Sequence, residues 1–240
     1  NCMDTNRKTA IAVGILFIVA TAASLAGSSL SDPILAAPGY MTAMAENSGR
    51  ILISAVCTFF AAATSVGIAI ALYPVLRKFQ EGLALGAVVF RTIESVFYIA
   101  AVMCLLSLLA LGQEIVAGGG AAEGAETLGR LLLTAKELAG FVFGATAFCI
   151  GGFLYYIVFY QSQLIPRWLS VWGLLACLLL LCAIILTASD GAPFSLTGNL
   201  VFLALPIALQ EIVLAVWLLV KGFDLSAAGS QTTHRAVAGA

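Results

Sequence analysis

Residues 51–73 read ILISAVCTFFAAATSVGIAIALY, without one charged side chain. A helix needs about 20 apolar residues to cross the hydrocarbon core of a bilayer, so this stretch is long enough to span. Outward from it, Pro74, Arg77 and Lys78 close one side and Arg50 the other. Five more stretches qualify: 9–30, 83–112, 128–160, 169–188 and 200–220. The composition agrees. Of 240 residues 62% are apolar and 10% charged, and the mean hydropathy is +1.08. Soluble domains carry about 45–50% apolar and about 25% charged residues, so lipid is the solvent for most of this chain. No ten-residue stretch alternates with period two, which disfavours an outer-membrane barrel. Backbone polar groups in lipid must then be satisfied within helices. The expected fold is an all-α membrane bundle of six helices in one domain over 1–223, with a disordered polar tail at 224–240.

Loop charges predict the orientation. The N-terminus, 74–81, 161–168 and the C-terminus collect Arg7, Lys8, Arg77, Lys78, Arg167, Lys221 and Arg235. The opposite side has Arg50 and Arg130 and six acids: Asp32, Glu46, Glu114, Glu123, Glu126 and Asp190. Lys and Arg mark the cytoplasmic side, so both termini are predicted inside an inner membrane. Tyr73, Tyr155, Tyr156, Tyr160, Trp168, Trp172 and Trp217 are read as an aromatic belt at that interface. The first span has a rival reading as a secretory signal, from Arg7-Lys8 and the apolar run behind them. The run exceeds the usual core of such a signal, and a retained helix is the preferred reading. Segment 31–49, with two prolines, is expected to lay a short piece along the surface, and 112–124, with Gly118-Gly119-Gly120, to be mobile. The fourth span is too long for a straight crossing and is expected to tilt, protrude or bend, with Gly151-Gly152 as the bend.

Familiar catalytic equipment is missing. Five cysteines lie within spans and Cys2 precedes the first, with no Cys-x-x-Cys pair, so they read as buried fillers. The single histidine, His234, lies in the tail, which argues against histidine-held haem or zinc and against a Ser-His hydrolase. No phosphate-binding glycine loop is present. No cofactor or metal is expected. A net charge of -1 argues against nucleic acid as a partner.

The chemistry, if any, sits with five ionisable residues inside the spans: Arg91, Glu94, Lys136, Glu137 and Glu211. An isolated charge at a helix centre costs about 2.5–3.5 kcal/mol on insertion scales. At a rise of about 1.5 Å per residue, Arg91 and Glu94 lie about 14 and 18 Å past Gly82. Glu211 lies about 15 Å inside Lys221, and Lys136 and Glu137 about 14–15 Å inside Thr127. All five are therefore expected near the midplane. Helical periodicity puts Ala87, Arg91, Glu94, Tyr98 and Ala101 on one stripe, Glu137 with Gly140, Gly144 and Gly151 on a second, and Glu211 with Ala204, Ala208 and Ala215 on a third. Small residues on these stripes turn them toward other helices. Arg91 and Glu94 are spaced to pair within one helix. Lys136 and Glu137 point about 100° apart and are each expected to meet a different neighbour. Three carboxylates face two cations, and Glu211 is taken as the surplus acid, carrying a proton. Pro206, five residues before it, is read as a helix break of the kind transporters place beside a binding site. Three spans followed by three also permit an inverted repeat, though the residues around Glu94 and Glu211 do not align. Gly82-x-x-x-Gly86 and Gly140-x-x-x-Gly144 suit either dimerisation or internal packing.

Several segments resemble a known family: NRKTA at 6–10, ALYPVL at 71–76, EGLALG at 81–86, FRTIE at 90–94, YQS at 160–162, LIPRWLS at 164–170 and LPIALQE at 205–211. Together they resemble the bacterial membrane-protein family of the domain of unknown function 4386, over residues 5–223. The resemblance implies a multi-span membrane protein and supplies no reaction, ligand or catalytic residue. Three readings follow from the residues. The charged centre moves or senses a small solute or a proton, or its ion pairs only fix the packing of an accessory subunit, or the chain is an enzyme acting on a lipid or quinone. A water-lined opening from the charges to one face separates the first from the second. Oligomerisation stays open.

Overall fold

The computed structural model of the chain describes residues 2–118, 122–190 and 201–224. The tail with His234, and Gly119 and Gly120, lie outside the described residues. Helices account for nearly all of the rest: α1 (Cys2–Leu35), α2 (Tyr40–Glu46), α3 (Ser48–Leu76), α4 (Glu81–Val116), α5 (Ala122–Glu137), a π-helical stretch (Leu138–Gly144), α6 (Ala145–Ser162), α7 (Arg167–Asp190) and α8 (Val201–Val220). Six spans are long and apolar enough to cross a membrane: Thr5–Leu35, Ser48–Leu76, Glu81–Val116, Gly124–Ser162, Arg167–Thr187 and Phe202–Val220. The chain is a multi-pass α-helical membrane protein.

Each span packs on the next in sequence, and the sixth returns to the first. The bundle is thus a closed ring, α1–α3–α4–α6–α7–α8, with alternating directions. Two ends follow. The N end carries both described termini and the connections 77–80 and 163–166. The far end carries α2 and the outer parts of α4 and α5. The N end is fastened by polar contacts. Arg7 donates to the carbonyls of Leu218 (3.2 Å), which the Gly222 amide also reaches, and of Leu219 (2.6 Å), near the C-terminal end of α8 where carbonyls lack helical partners. Gly222, at φ 75°, ends α8 in the left-handed conformation that glycine adopts without a side-chain clash. The Asp224 amide donates to Leu164 O at 2.8 Å.

Helices that cannot gain by expelling water from one another associate through close packing. Gly14 has the Ala215 carbonyl 2.9 Å from where a Cβ would stand, so α1 and α8 nearly touch backbone to backbone. Gly86 meets Leu154, Gly140 meets Ala101, and Gly144 meets the Tyr98 ring. Three of the four glycines in the two Gly-x-x-x-Gly motifs therefore pack the chain's own helices.

Three expectations are corrected. Tyr155 and Tyr156 are not in an interfacial belt; they are 1% and 0% exposed and fill the ring with Phe17 and Phe159. Tyr73, Tyr160 and Trp168 do lie toward the N end, where Arg77 covers Tyr73 and Arg167 covers Tyr160. The fourth span is irregular at Leu138–Gly144, one wide π-helical segment, and continuous at Gly151-Gly152. Pro206 does not break α8. It stands near the N-terminus of the described helix, and what its ring removes is one hydrogen bond, to a carbonyl of the first turn. Segment 31–49 holds a short helix: α1 runs through Pro33, and α2 follows Gly39 at φ 70° and packs on α4.

Candidate functional site

The ring centre is polar at mid-height. α4 turns Ala87, Arg91, Glu94 and Ala101 inward, as the stripe predicts, and all four are buried. Arg91 is 1% exposed and Glu94 2%. Arg91 Nη1 donates to Glu94 Oε2 at 3.1 Å and to Ser65 Oγ at 3.0 Å. Ser65 lies 3.0 Å from both Glu94 oxygens, to which its hydroxyl donates. Arg91 Nη2 donates to Tyr155 Oη at 2.7 Å. The guanidinium carbon lies 4.2 Å from the Phe148 ring centre, a cation–π contact on its face, and the in-plane Nε has no hydrogen-bond partner among the described residues. Gly151 makes room for it, since a Cβ there would stand 3.3 Å from Arg91 Cγ. Arg91 and Glu94 thus clasp three spans together, through Ser65 of α3 and Tyr155 of α6.

Glu211 enters the same centre from α8, 8% exposed. Its Oε2 accepts from Thr21 Oγ1 of α1 at 2.8 Å. Among the described residues it has no salt-bridge partner. Beside it Gln210 is fully buried, bound by Tyr156 Oη and donating to Leu169 O at 3.2 Å. These bonds tie α8 to α6 and α7 and aim Glu211 inward.

Lys136 and Glu137 are elsewhere. Gly151 packs against Arg91, Gly144 against Tyr98 and Gly140 against Ala101. This register puts Lys136, fifteen residues from Gly151, about 20 Å above the Arg91 level. The five charges therefore form two groups, and only Arg91, Glu94 and Glu211 are central. Lys136 and Glu137 also pair with each other, at 2.8 Å and 17% and 22% exposure, rather than with different neighbours. Long side chains with room around them bend across the angle between their Cβ directions.

Two adjoining cavities connect these groups. An inner chamber of about 160 Å³ is lined by Arg91, Glu94, Glu211, Thr21 and Ser65. An outer one of about 290 Å³ is lined by Lys136, Glu137 and Asp32. Ser24, Leu25, Ala61, Tyr98, Leu180 and Ala208 border both. Phe17, Tyr155, Tyr156 and Phe159, fully buried and packed on one another, line neither cavity. The sequence reading missed the hydroxyls of this path. Thr21, Ser24, Ser28 and Ser31 recur at the three- and four-residue spacing of one helix face, and all four line the cavities. That spacing was visible in the sequence.

Cys57, Cys104, Cys149, Cys177 and Cys182 are free thiols. Among the described residues no three metal-ligating side chains converge. The domain of unknown function (DUF4386) matches residues 12–222, and the chain belongs to that family. No curated protein and no solved structure matches it.

Proposed function

We propose that this member of the family is a multi-pass protein of a bacterial inner membrane, with both termini cytoplasmic, that binds a small solute or a proton in its central chamber for transport or sensing. One observation carries the reading. A buried carboxylate without a salt-bridge partner among the described residues, Glu211, lines a chamber adjoining a larger cavity that extends toward the far end. A carboxylate held in a bundle interior needs a compensating charge or a proton, and the path beside it carries the α1 hydroxyls of Thr21, Ser24, Ser28 and Ser31 among apolar side chains. The accessory-subunit reading is favoured at Arg91 and Glu94, whose hydrogen bonds are largely made within the protein. It has no such support at Glu211. The packed aromatic residues Phe17, Tyr155, Tyr156 and Phe159 are buried and line neither cavity, so passage to the cytoplasm would require them to rearrange.

Two labelling experiments test this. In a cysteine-free background, Ser28→Cys should react with a membrane-impermeant cationic methanethiosulfonate applied outside, whereas Ala10→Cys, in the packed core, should not. An unreactive Ser28→Cys would sink the cavity reading. The same reagent in intact cells should label Gly119→Cys and Asp190→Cys but not Gln80→Cys or Ser162→Cys. Labelling of the second pair instead would reverse the orientation.

A further inference from the structure

We propose that the cavity takes an amphipathic organic amine, its ammonium on Glu211 and its apolar chain leaving between α1 and α8. The inference rests on the binding reading above and adds a ligand class and an entrance.

The charge of the lining selects the sign. The inner chamber holds one guanidinium and two carboxylates, and the outer cavity holds Lys136 with Glu137 and Asp32. Two cations therefore face four acids. The guanidinium is also occupied: Nη1 serves Glu94 and Ser65, Nη2 serves Tyr155, and Phe148 covers its face. Its Nε–H has no partner among the described residues but is itself buried, and an anion would also meet an excess of like charge. Glu211 differs. Thr21 holds Oε2, while Oε1 has no hydrogen-bond partner among the described residues and is not sealed from the chamber. A carboxylate oxygen so placed accepts charge-assisted bonds from an ammonium.

The shape selects the rest of the ligand. From Arg7 to Thr21, α1 is fastened to α8 by the Arg7 bonds, the Gly14 contact and the Thr21–Glu211 bond. Beyond Thr21 the cavities lie between the two helices. There the lining residues Ser24 and Leu25 of α1 and Leu205 of α8 are themselves exposed, Leu25 at 43% and Leu205 at 49%. Residues that line a cavity and also face outward mark its mouth, and this mouth lies on the ring perimeter, where lipid is the neighbour. Cavities of about 150 Å³ hold a benzene-sized guest. The inner chamber therefore has room for an ammonium and its first carbons, and a longer chain continues through the outer cavity to the mouth.

The test uses octylamine with the full chain in phosphatidylcholine nanodiscs, and empty nanodiscs for the lipid background. Equilibrium dialysis should show saturable octylamine binding above that background, with octanol and octanoate giving none. Glu211→Gln should weaken binding about tenfold to a hundredfold, the loss of one charge-assisted hydrogen bond. Ala208→Phe, which narrows the passage while leaving every polar group in place, should also weaken it, and it keeps the test decisive if the Gln variant fails to fold. Competition by phosphatidylethanolamine built into the nanodisc would identify the ammonium as a lipid headgroup, and lack of competition as a free amine. No saturable octylamine binding, or preferential octanoate binding, overturns the proposal. If Ser28→Cys still labels from outside, the cavity reading survives that outcome; if it does not, both fall.

Discussion

Arg91→Met should be among the most damaging single substitutions in the chain. It leaves Glu94, 2% exposed, with Ser65 as its remaining hydrogen-bond donor. Removing one partner of a buried ion pair costs about 3–5 kcal/mol, because the other charge stays buried without compensation. It also frees Tyr155 Oη and uncovers the Phe148 ring. Exposure of the pair is too low for solvent to screen the loss. Removing both charges is different in kind. Arg91→Met with Glu94→Gln leaves no unpaired charge, and methionine fills much of the space of the arginine stem. The double variant should therefore recover most of the loss. The measurement is unfolding of both variants in one detergent, by temperature or by denaturing-detergent titration. A double variant no more stable than the single one would mean that Arg91 acts through its packing and its Tyr155 bond, and that the clasp with Glu94 contributes little.

The fold was largely legible because one number governs it: the length of apolar helix that lipid demands. Six apolar runs give six spans, and the inward stripe of α4 follows from its period. Residue depth was less legible. Lys136 was placed by counting from Thr127, as if the loop ended where the membrane began. The fourth span, Gly124–Ser162, has 39 residues, about 58 Å if wholly α-helical against a core of about 30 Å, and the excess lies on the Lys136 side. Tyr155 and Tyr156 misled for a related reason. Aromatic residues near a span end suit an interface, but α6 turns these two into the ring, where Arg91 and Gln210 supply polar partners. The hydroxyl stripe of α1 was overlooked because serine and threonine barely lower hydropathy and often bond their own helix, as Ser31 does to Gly27 O. Their spacing shows a face. Only the ring closure, which sets α1 beside α8, shows what that face looks at.

Glu211→Gln should divide structure from function most cleanly. The Gln side chain keeps the size of the acid and an oxygen to accept from Thr21 Oγ1, and no salt bridge is lost. Its cost should stay within about 1 kcal/mol, the range of one modest hydrogen-bond change. Glu94→Gln makes the same chemical change 2% exposed beside Arg91. It strips a buried guanidinium of its counter-charge and should cost about 3–5 kcal/mol. Glu211→Ala should fall between them, since it opens a void and leaves the Thr21 hydroxyl without its acceptor. Two buried glutamates given the identical substitution should thus respond several kcal/mol apart, because one is bonded into the scaffold and the other faces the chamber. Unfolding of the three variants under one condition measures the difference, and uptake or binding by the folded Gln variant measures the function. Glu211→Gln should keep its stability and lose solute- or proton-linked activity. Should it instead unfold as readily as Glu94→Gln, Glu211 is a paired structural charge, and the chamber has lost the group that would hold a ligand.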